Sequence, residues 1–274
     1  MASKPHAIIS GGSSGIGLAL ARLLAREGWN LTLLARDAAR LEAARAELLP
    51  AAVRLAAADV RDEAAIAEAM NAAIAELGPP ELVVASAGIV VPGIFAELPA
   101  RAFADTLDVN FHGAVHLVRA ALPAMRARPG RSERGRIVLI SSGAGLIAFY
   151  GYTAYAPSKF ALRGFAEALR SELKPEGIGV SIVYPPDTDT PQLREELRAR
   201  PAITSRLAGG ARVRSADEVA RAILTGVKRR RFAIAPGWEM GLLARLQDLA
   251  GPWLHRFAFD PVIARHHPKK TDQE

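Results

Sequence analysis

The fold of this chain turns on residues 6–28, HAIISGGSSGIGLALARLLAREG. The first five residues are a near-continuous apolar run, the pattern of a strand covered on both faces. The run passes into Gly11, Ser13, Ser14, Gly15, Ile16 and Gly17, after which apolar residues recur at helical spacing until Gly28. A strand, a glycine-rich turn and a helix in direct succession open a βαβ unit. Glycines in such a turn allow a tight reversal and close approach of backbone to a ligand, and the helix N-terminus beyond offers amide donors to an anion. The spacing is G-x-x-x-G-x-G, and its place between a first strand and a first helix points to the pyrophosphate of a nucleotide.

The same alternation continues outward. Residues 30–35, 53–59, 82–87, 136–141, 180–185 and 231–236 read as further buried strands. Helical patterns cover 15–27, 38–48, 62–77, 99–126, 153–174 and 217–229. Strands alternating with helices of this length predict an α/β fold, a single doubly wound domain of Rossmann type over 1–236. Its sheet is expected to be seven-stranded and mostly parallel, with helices on both faces. Two additions stand outside the alternation: 187–214, expected to be a lid, and an amphipathic C-terminal extension, 237–274.

Half of the 274 residues are hydrophobic, which excludes a disordered chain, and the absence of cysteine excludes disulfide and thiolate chemistry. The net charge is +7, and nine Lys/Arg against five Asp/Glu from residue 228 onward place +4 of it in the last 47 residues. Arginines are otherwise spread along the chain, so the surplus reads as a solvated basic face and not as a nucleic-acid site. No charged segment followed by an apolar one opens the chain, and a cytoplasmic location is expected. Residues 137–158 carry no charge, but their Gly, Ser, Thr, Tyr and Pro content reads as strand, loop and helix start instead of a membrane span.

The second strand ends Ala35-Arg36-Asp37. An acidic residue at this tip takes the ribose hydroxyl of NAD, whereas Arg36 suits a 2′-phosphate, so NADP(H) is expected. The alternative for Arg36 is an exposed arginine at a helix entry. Asp59 and Val60, ending the third strand, are placed to meet the adenine edge; Asp59 could instead serve the start of the next helix.

Tyr155-Ala156-Pro157-Ser158-Lys159 carries the chemistry. Positions i and i+4 share a helix face, so Tyr155 and Lys159 point the same way, and Pro157 places them in a first helical turn. A phenol titrates near pH 10 and is a weak acid–base group at neutral pH, and an adjacent ammonium is expected to lower that value. Ser142 lies at the end of the fifth strand, and Asn110 within the fourth helix.

With the glycine turn, Asn110, Ser142, Tyr155 and Lys159 in this order, the chain resembles the short-chain dehydrogenase/reductase family over residues 6 to 236. The resemblance implies that Tyr155 exchanges the proton and Ser142 bonds the substrate carbonyl. It also implies that Lys159 tunes the tyrosine and holds the nicotinamide ribose, and that Asn110 anchors a water relay. Ala87 and Gly88 fall in the cofactor-binding segment, Pro185 under the nicotinamide, and Thr188 and Thr190 at the carboxamide. A homodimer or homotetramer is expected on the same ground.

Three positions depart from the family pattern. Ser10 replaces a threonine, Ala85-Ser86-Ala87-Gly88 stands for N-N-A-G, and Pro186 replaces a glycine. Residues 155–195, with YPPDTDTP at 184–191, are similar to the 3-ketodihydrosphingosine reductase branch, which implies a lipid-like ketone, 3-ketosphinganine, as substrate. The other readings are a reductase of another lipophilic or acyl-carrier-linked ketone and a non-catalytic NADP(H)-sensing module. The amine of such a substrate makes Asp187 and Asp189 candidate substrate contacts, unless both serve turn and helix-start amides. Thr190 is expected to cap a helix over 191–199 that opens with Pro191. His112, His116 and the pair His266-His267 lack metal-ligand spacing, so no metal is expected. Residues 241–257, with Trp253 and Phe257, are amphipathic and could pack in a core or subunit interface or contact a membrane surface peripherally.

Overall fold

The computed structural model describes residues 4–129, 134–208 and 212–266. Nine strands occur among them: β1 (His6–Ser10), β2 (Asn30–Ala35), β3 (Val53–Ala57), β4 (Leu82–Ala85), β5 (Gly135–Ile140), β6 (Ile178–Val183), β7 (Thr188–Asp189), β8 (Arg214–Ser215) and β9 (Ala233–Ile234). Seven of them form one sheet in the order β3-β2-β1-β4-β5-β6-β9, and every pairing in it is parallel. The antiparallel strand that "mostly parallel" leaves room for does not occur in this sheet.

Both faces are apolar because alternate residues of each strand feed different cores. Ile8, Val83, Ile137, Leu139 and Ile182 belong to one cluster. Ala7, Ile9, Leu33, Val84 and Val138 belong to the other. The first is covered by α3 (Glu63–Leu77), α5 (Gly113–Ala127) and α6 (Tyr155–Leu173). The second is covered by α1 (Gly15–Arg26), α2 (Ala38–Ala46) and α9 (Ala216–Lys228). A strand buried on both sides needs no polar face, which is why its sequence is a run and not an alternation. The chain leaves β1 for β2 on one side and later returns to β4 on the other, so the strand order switches direction at β1. Ligands bind at such a point, beyond the carboxyl ends of the strands.

Several elements differ from the sequence expectation. Strands expected over 53–59, 82–87 and 231–236 are shorter, ending at Ala57, at Ala85 and within Ala233–Ile234, although single backbone bonds such as Ala58 N–H to the Ala35 carbonyl and Ser86 N–H to the Ser10 carbonyl run one residue further. The helix expected over 99–126 is divided into α4 (Ala100–Leu107), a π-helical turn (Asp108–His112) and α5. Such a turn inserts one residue and re-aims its side chains, and it falls on Asn110.

Within 187–214, β7 pairs with β8 and two helices stand between them, α7 (Pro191–Ala199) and α8 (Ala202–Ala208); residues 209–211 lie outside the described residues. Thr190 caps α7 by accepting from the Leu193 amide at 3.2 Å, with Pro191 as the first helical residue. The C-terminal segment forms α10 (Trp238–Leu254), a π-helical turn (His255–Phe259) and α11 (Asp260–His266); His267 and the residues after it are not described. This segment is not detached, since Met240 joins the core and Leu243 packs against it. Its outer side leaves Trp238, Leu242, Leu246, Trp253 and Phe257 exposed. No helix among the described residues is long and apolar enough to cross a membrane.

Candidate active site

A cleft of about 520 Å³ opens at the carboxyl edge of the sheet. Ser14, Gly15 and Ile16 line it from the glycine turn, Ala87 and Gly88 from the segment after β4, and Ser142, Tyr155 and Lys159 from β5 and α6. Pro185, Asp187, Thr188 and Thr190 enter it from the exit of β6, and Met240 and Leu243 from α10.

The glycine turn is built for close approach. Gly15 sits at φ +55°, and a Cβ there would meet the Thr190 methyl at 3.1 Å, so the turn and the β6 exit touch. A Cβ on Gly17 would collide with the Gly11 carbonyl, which lets α1 start directly over the turn. Ser14 stands at the N-cap of α1 but its side chain caps nothing, and no acidic residue occupies the first turn. α2, α3, α7 and α9, by contrast, each have a side-chain cap. The first amides of α1 therefore remain as donors toward the cleft. Ser13 and Gly17 shape the turn without lining the cleft. Ser10 retains the task of a hydroxyl at its position: its Oγ accepts the amides of Ser86 and Ala87 at 3.2 and 3.3 Å, holding the loop after β4.

Arg36 is exposed just past β2, and its charge helps to hold the Asp59 carboxyl low. The larger cause of that depression is Arg61, whose guanidinium lies 2.7 Å from Asp59. The cap of α3 is Asp62, not Asp59. Val60 is buried, and its carbonyl accepts from His116 Nδ1 at 2.9 Å. His112 pairs with Asp108, and no group of three or more potential metal ligands occurs among the described residues.

Tyr155 is the first residue of α6, and a hydrogen bond joins its side chain to Ser142. Lys159 lies one turn on, with its Nζ 5.6 Å from the centre of the Tyr155 ring. The expected lowering of the tyrosine pKa by Lys159 is not found. Burial pushes the phenol well above its usual range, and the Ser142 hydrogen bond offsets only part of this. Burial also lowers Lys159 to about 8 from 10.5, and its ammonium donates to the Ile140 carbonyl at 3.1 Å. Sequence spacing placed the two side chains on one face correctly, but the desolvation of both is set by the surrounding packing.

A buried base whose folded pKa lies below its unfolded value costs stability below the folded pKa, and the cost fades as pH rises toward the unfolded value. Lys159→Met is therefore expected to raise stability at pH 7 by roughly 3 kcal/mol, from a shift of 10.5 to about 8. The gain should shrink as pH rises through the window from about 8 to 10.5. Thermal unfolding at pH 7 and pH 10 checks this, and a variant no more stable than wild type at pH 7 would contradict it.

Asn110 does not line the cleft. Its Oδ1 accepts from the Ile89 amide at 2.8 Å, and its Nδ2 donates to the Ile89 carbonyl and to Ser158 Oγ, both at 2.9 Å. The side chain thus clips the loop after β4 to α6. Thr188 donates to the Pro186 carbonyl at 2.8 Å and is buried, and Thr190 Oγ1 is engaged with the Thr188 carbonyl and the α7 cap. The two aspartates part company. Asp187 lines the cleft and pairs with Arg200, but Asp189 pairs with Arg194 at 3.1 Å on the exposed side.

Sequence reasoning missed Tyr152, Glu196 and Arg200. Tyr152 is buried, its ring 5.6 Å from that of Tyr155, and its hydroxyl donates to Glu196. Arg200 pairs with Glu196 and, at 2.9 Å, with Asp187, and its side chain is only 3% exposed. The four-residue spacing of Glu196 on α7 and Arg200 just past its end was the available signal, but Arg194, Glu195 and Arg198 share that helix and read as a solvated face.

Residues 5–201 match the short chain dehydrogenase family. The chain is 40% identical over 232 residues to 3-dehydrosphinganine reductase TSC10B of Arabidopsis thaliana, covering 84% of this chain and 69% of that protein. It is 36% identical over 248 residues to 3-dehydrosphinganine reductase of Danio rerio, covering 88% and 74%. Among solved structures, a short chain dehydrogenase/reductase from Burkholderia phymatum in complex with NAD superposes with a TM-score of 0.80 at 26% identity, over 90% of this chain and 94% of that one. A short-chain dehydrogenase from Sphingobium yanoikuyae in complex with NADPH gives 0.76 at 28% identity, over 92% and 96%.

Proposed function

This chain belongs to the short-chain dehydrogenase family, and from that premise we propose that it reduces 3-ketosphinganine to sphinganine with NADPH. The observation that carries the reading is the single cleft in which Ser142, Tyr155 and Lys159 meet, lined also by the glycine turn and by Met240 and Leu243. The uncapped first turn of α1 fits a pyrophosphate, and the exposed guanidinium of Arg36 beyond β2 fits a 2′-phosphate. Bound NADPH supplies the hydride.

The chain's own groups handle the oxygen that becomes the alcohol. Ser142 donates a hydrogen bond to the ketone oxygen, and Tyr155 delivers its proton there. Burial suits this direction of reaction, since it keeps the phenol protonated until an oxyanion forms beside it. Lys159 has a buried ammonium with one carbonyl partner among the described residues, which leaves donors for the nicotinamide ribose hydroxyls. Asn110 holds the loop carrying Ala87 and Gly88 against α6, and so keeps Lys159 aimed into the cleft. Thr188 and Thr190 border the place of the carboxamide, and Pro185 and Pro186 stiffen the backbone beneath it. An apolar wall of Ile147, Phe149, Met240 and Leu243 suits an alkyl chain.

Incubation of the purified protein with NADPH and 3-ketosphinganine should yield sphinganine with loss of absorbance from the reduced cofactor; no turnover would refute the substrate. Arg36→Ala should weaken NADPH binding by about tenfold or more while leaving NADH binding little changed, because it removes a charge-assisted contact. Cofactor titration measures both, and equal affinity of the wild type for NADH and NADPH would remove Arg36 from this role.

A further inference from the structure

Glu196 is an unusual acid for a lid helix. Its side chain is 10% exposed and that of its partner Arg200 only 3%, although both residue types normally stay in water. The Tyr152 hydroxyl, Arg200 Nε at 2.9 Å and Arg200 Nη2 all bond to the same carboxylate oxygen, Oε1. Among the described residues nothing bonds to Oε2, and Glu196 lines the cleft.

The charges around it do not balance. Asp187 and Glu196 share one guanidinium, that of Arg200, which leaves one negative charge in excess. The other acid at the cleft, Glu239, is paired with Arg214 at 3.4 Å, and Glu218, which also meets Arg214, has Arg212 as a second partner. Lys159 is turned to the Ile140 carbonyl and makes no ion pair with either carboxylate among the described residues. A surplus charge held out of water is costly until a cation meets it. Glu196 is also close to the reacting centre, bonded to a tyrosine whose ring is 5.6 Å from that of Tyr155.

We infer that Glu196, through its free carboxylate oxygen, is the acceptor for an ammonium group carried on the carbon next to the ketone. The inference rests on the substrate reading above and deepens it. In a 2-amino-3-ketone the nitrogen and the oxygen are on adjacent carbons, so an oxygen held by Tyr155 and Ser142 puts the ammonium within reach of a group packed beside Tyr152. Asp187 supports the site by holding Arg200, which in turn orients Oε1 and leaves Oε2 toward the substrate. Asp189 takes no part, being exposed and paired with Arg194.

Glu196→Gln is the informative variant. Its amide oxygen can keep the bonds of Tyr152 and Arg200, while an NH2 group replaces Oε2 and opposes an ammonium. With NADPH, kcat/KM of the variant on 3-ketosphinganine should fall about tenfold or more, whereas a 3-ketone of the same chain length lacking the amine should change by less than about twofold. Equal losses on the two ketones, or no loss on either, would overturn the inference and leave the reductase reading in place. If the variant does not fold, N-acetyl-3-ketosphinganine applies the same test to the wild type: a loss of about tenfold or more supports the site, and full activity overturns it. If the wild type reduces neither ketone, the substrate reading fails, and binding decides the subsite alone. Octylammonium should then raise the melting temperature of the NADPH-bound wild type more than octanol does, and Glu196→Gln should abolish the difference; the absence of any difference in the wild type would overturn the inference.

Discussion

Tyr155→Phe should lower kcat by about 10²–10⁴-fold, the usual worth of a positioned general acid, while the Kd for NADPH stays near that of the wild type. The substitution deletes one hydroxyl and keeps the ring that packs among Phe149, Tyr152 and Ala156. Only the Ser142 hydrogen bond is lost, so the fold should survive. Single-turnover reduction alongside cofactor fluorescence titration separates the two effects. Near-normal turnover would mean that another group protonates the oxygen.

Arg200→Met should be the most destabilising substitution in the lid, at about 3–5 kcal/mol, since it leaves the nearly buried Glu196 and the half-buried Asp187 without a counter-ion. For a domain of this size the melting temperature should drop on the order of 10 °C. The ring of Tyr152, 5.8 Å from the guanidinium, loses its cation as well. Combining Arg200→Met with Asp187→Asn and Glu196→Gln removes the stranded charges and should recover much of the loss. A single variant that melts with the wild type would show that the cluster is solvated in solution. By contrast, breaking the exposed Asp189–Arg194 pair should have little effect, because a solvated ion pair contributes little.

The two sets of residues behind these predictions differ in how they can be found. Tyr155 and Lys159 are legible in the chain because their relation is local: four residues on a helix always share a face, and Pro157 marks the helix start. The glycine turn between β1 and α1 is legible for the same reason, as are the buried strands, whose neighbours above and below are implied by uninterrupted apolar runs. The Thr190–Pro191 start of α7 follows from cap chemistry that involves residues only three apart. The difference between Asp187 and Asp189 is not legible, since residues two apart share one face of a regular strand, and what parts them is the position of Arg200 and Arg194.

Desolvation and pairing obey no local rule. Tyr152 and Glu196 are 44 residues apart, and Arg200 and Asp187 are 13 apart; only the placing of α7 against the turn before α6 and the exit of β6 makes them one cluster. Lys159 could be assigned a lowered tyrosine pKa as its effect only while its own surroundings were unknown. Packed beneath the β5 end, it loses water before it gains a partner, and burial then moves both groups toward their neutral forms. Asn110 shifts from a helix interior to a π-helical turn because α4 and α5 each pack on their own neighbours, an accommodation between distant surfaces. The linear chain therefore specified the order of elements, the nucleotide turn and the tyrosine–lysine pair, all relations within a few residues. Which charges lie in water, and which carboxylate oxygen is left open to a ligand, depended on groups brought together from across the chain, because solvation is a property of the folded neighbourhood.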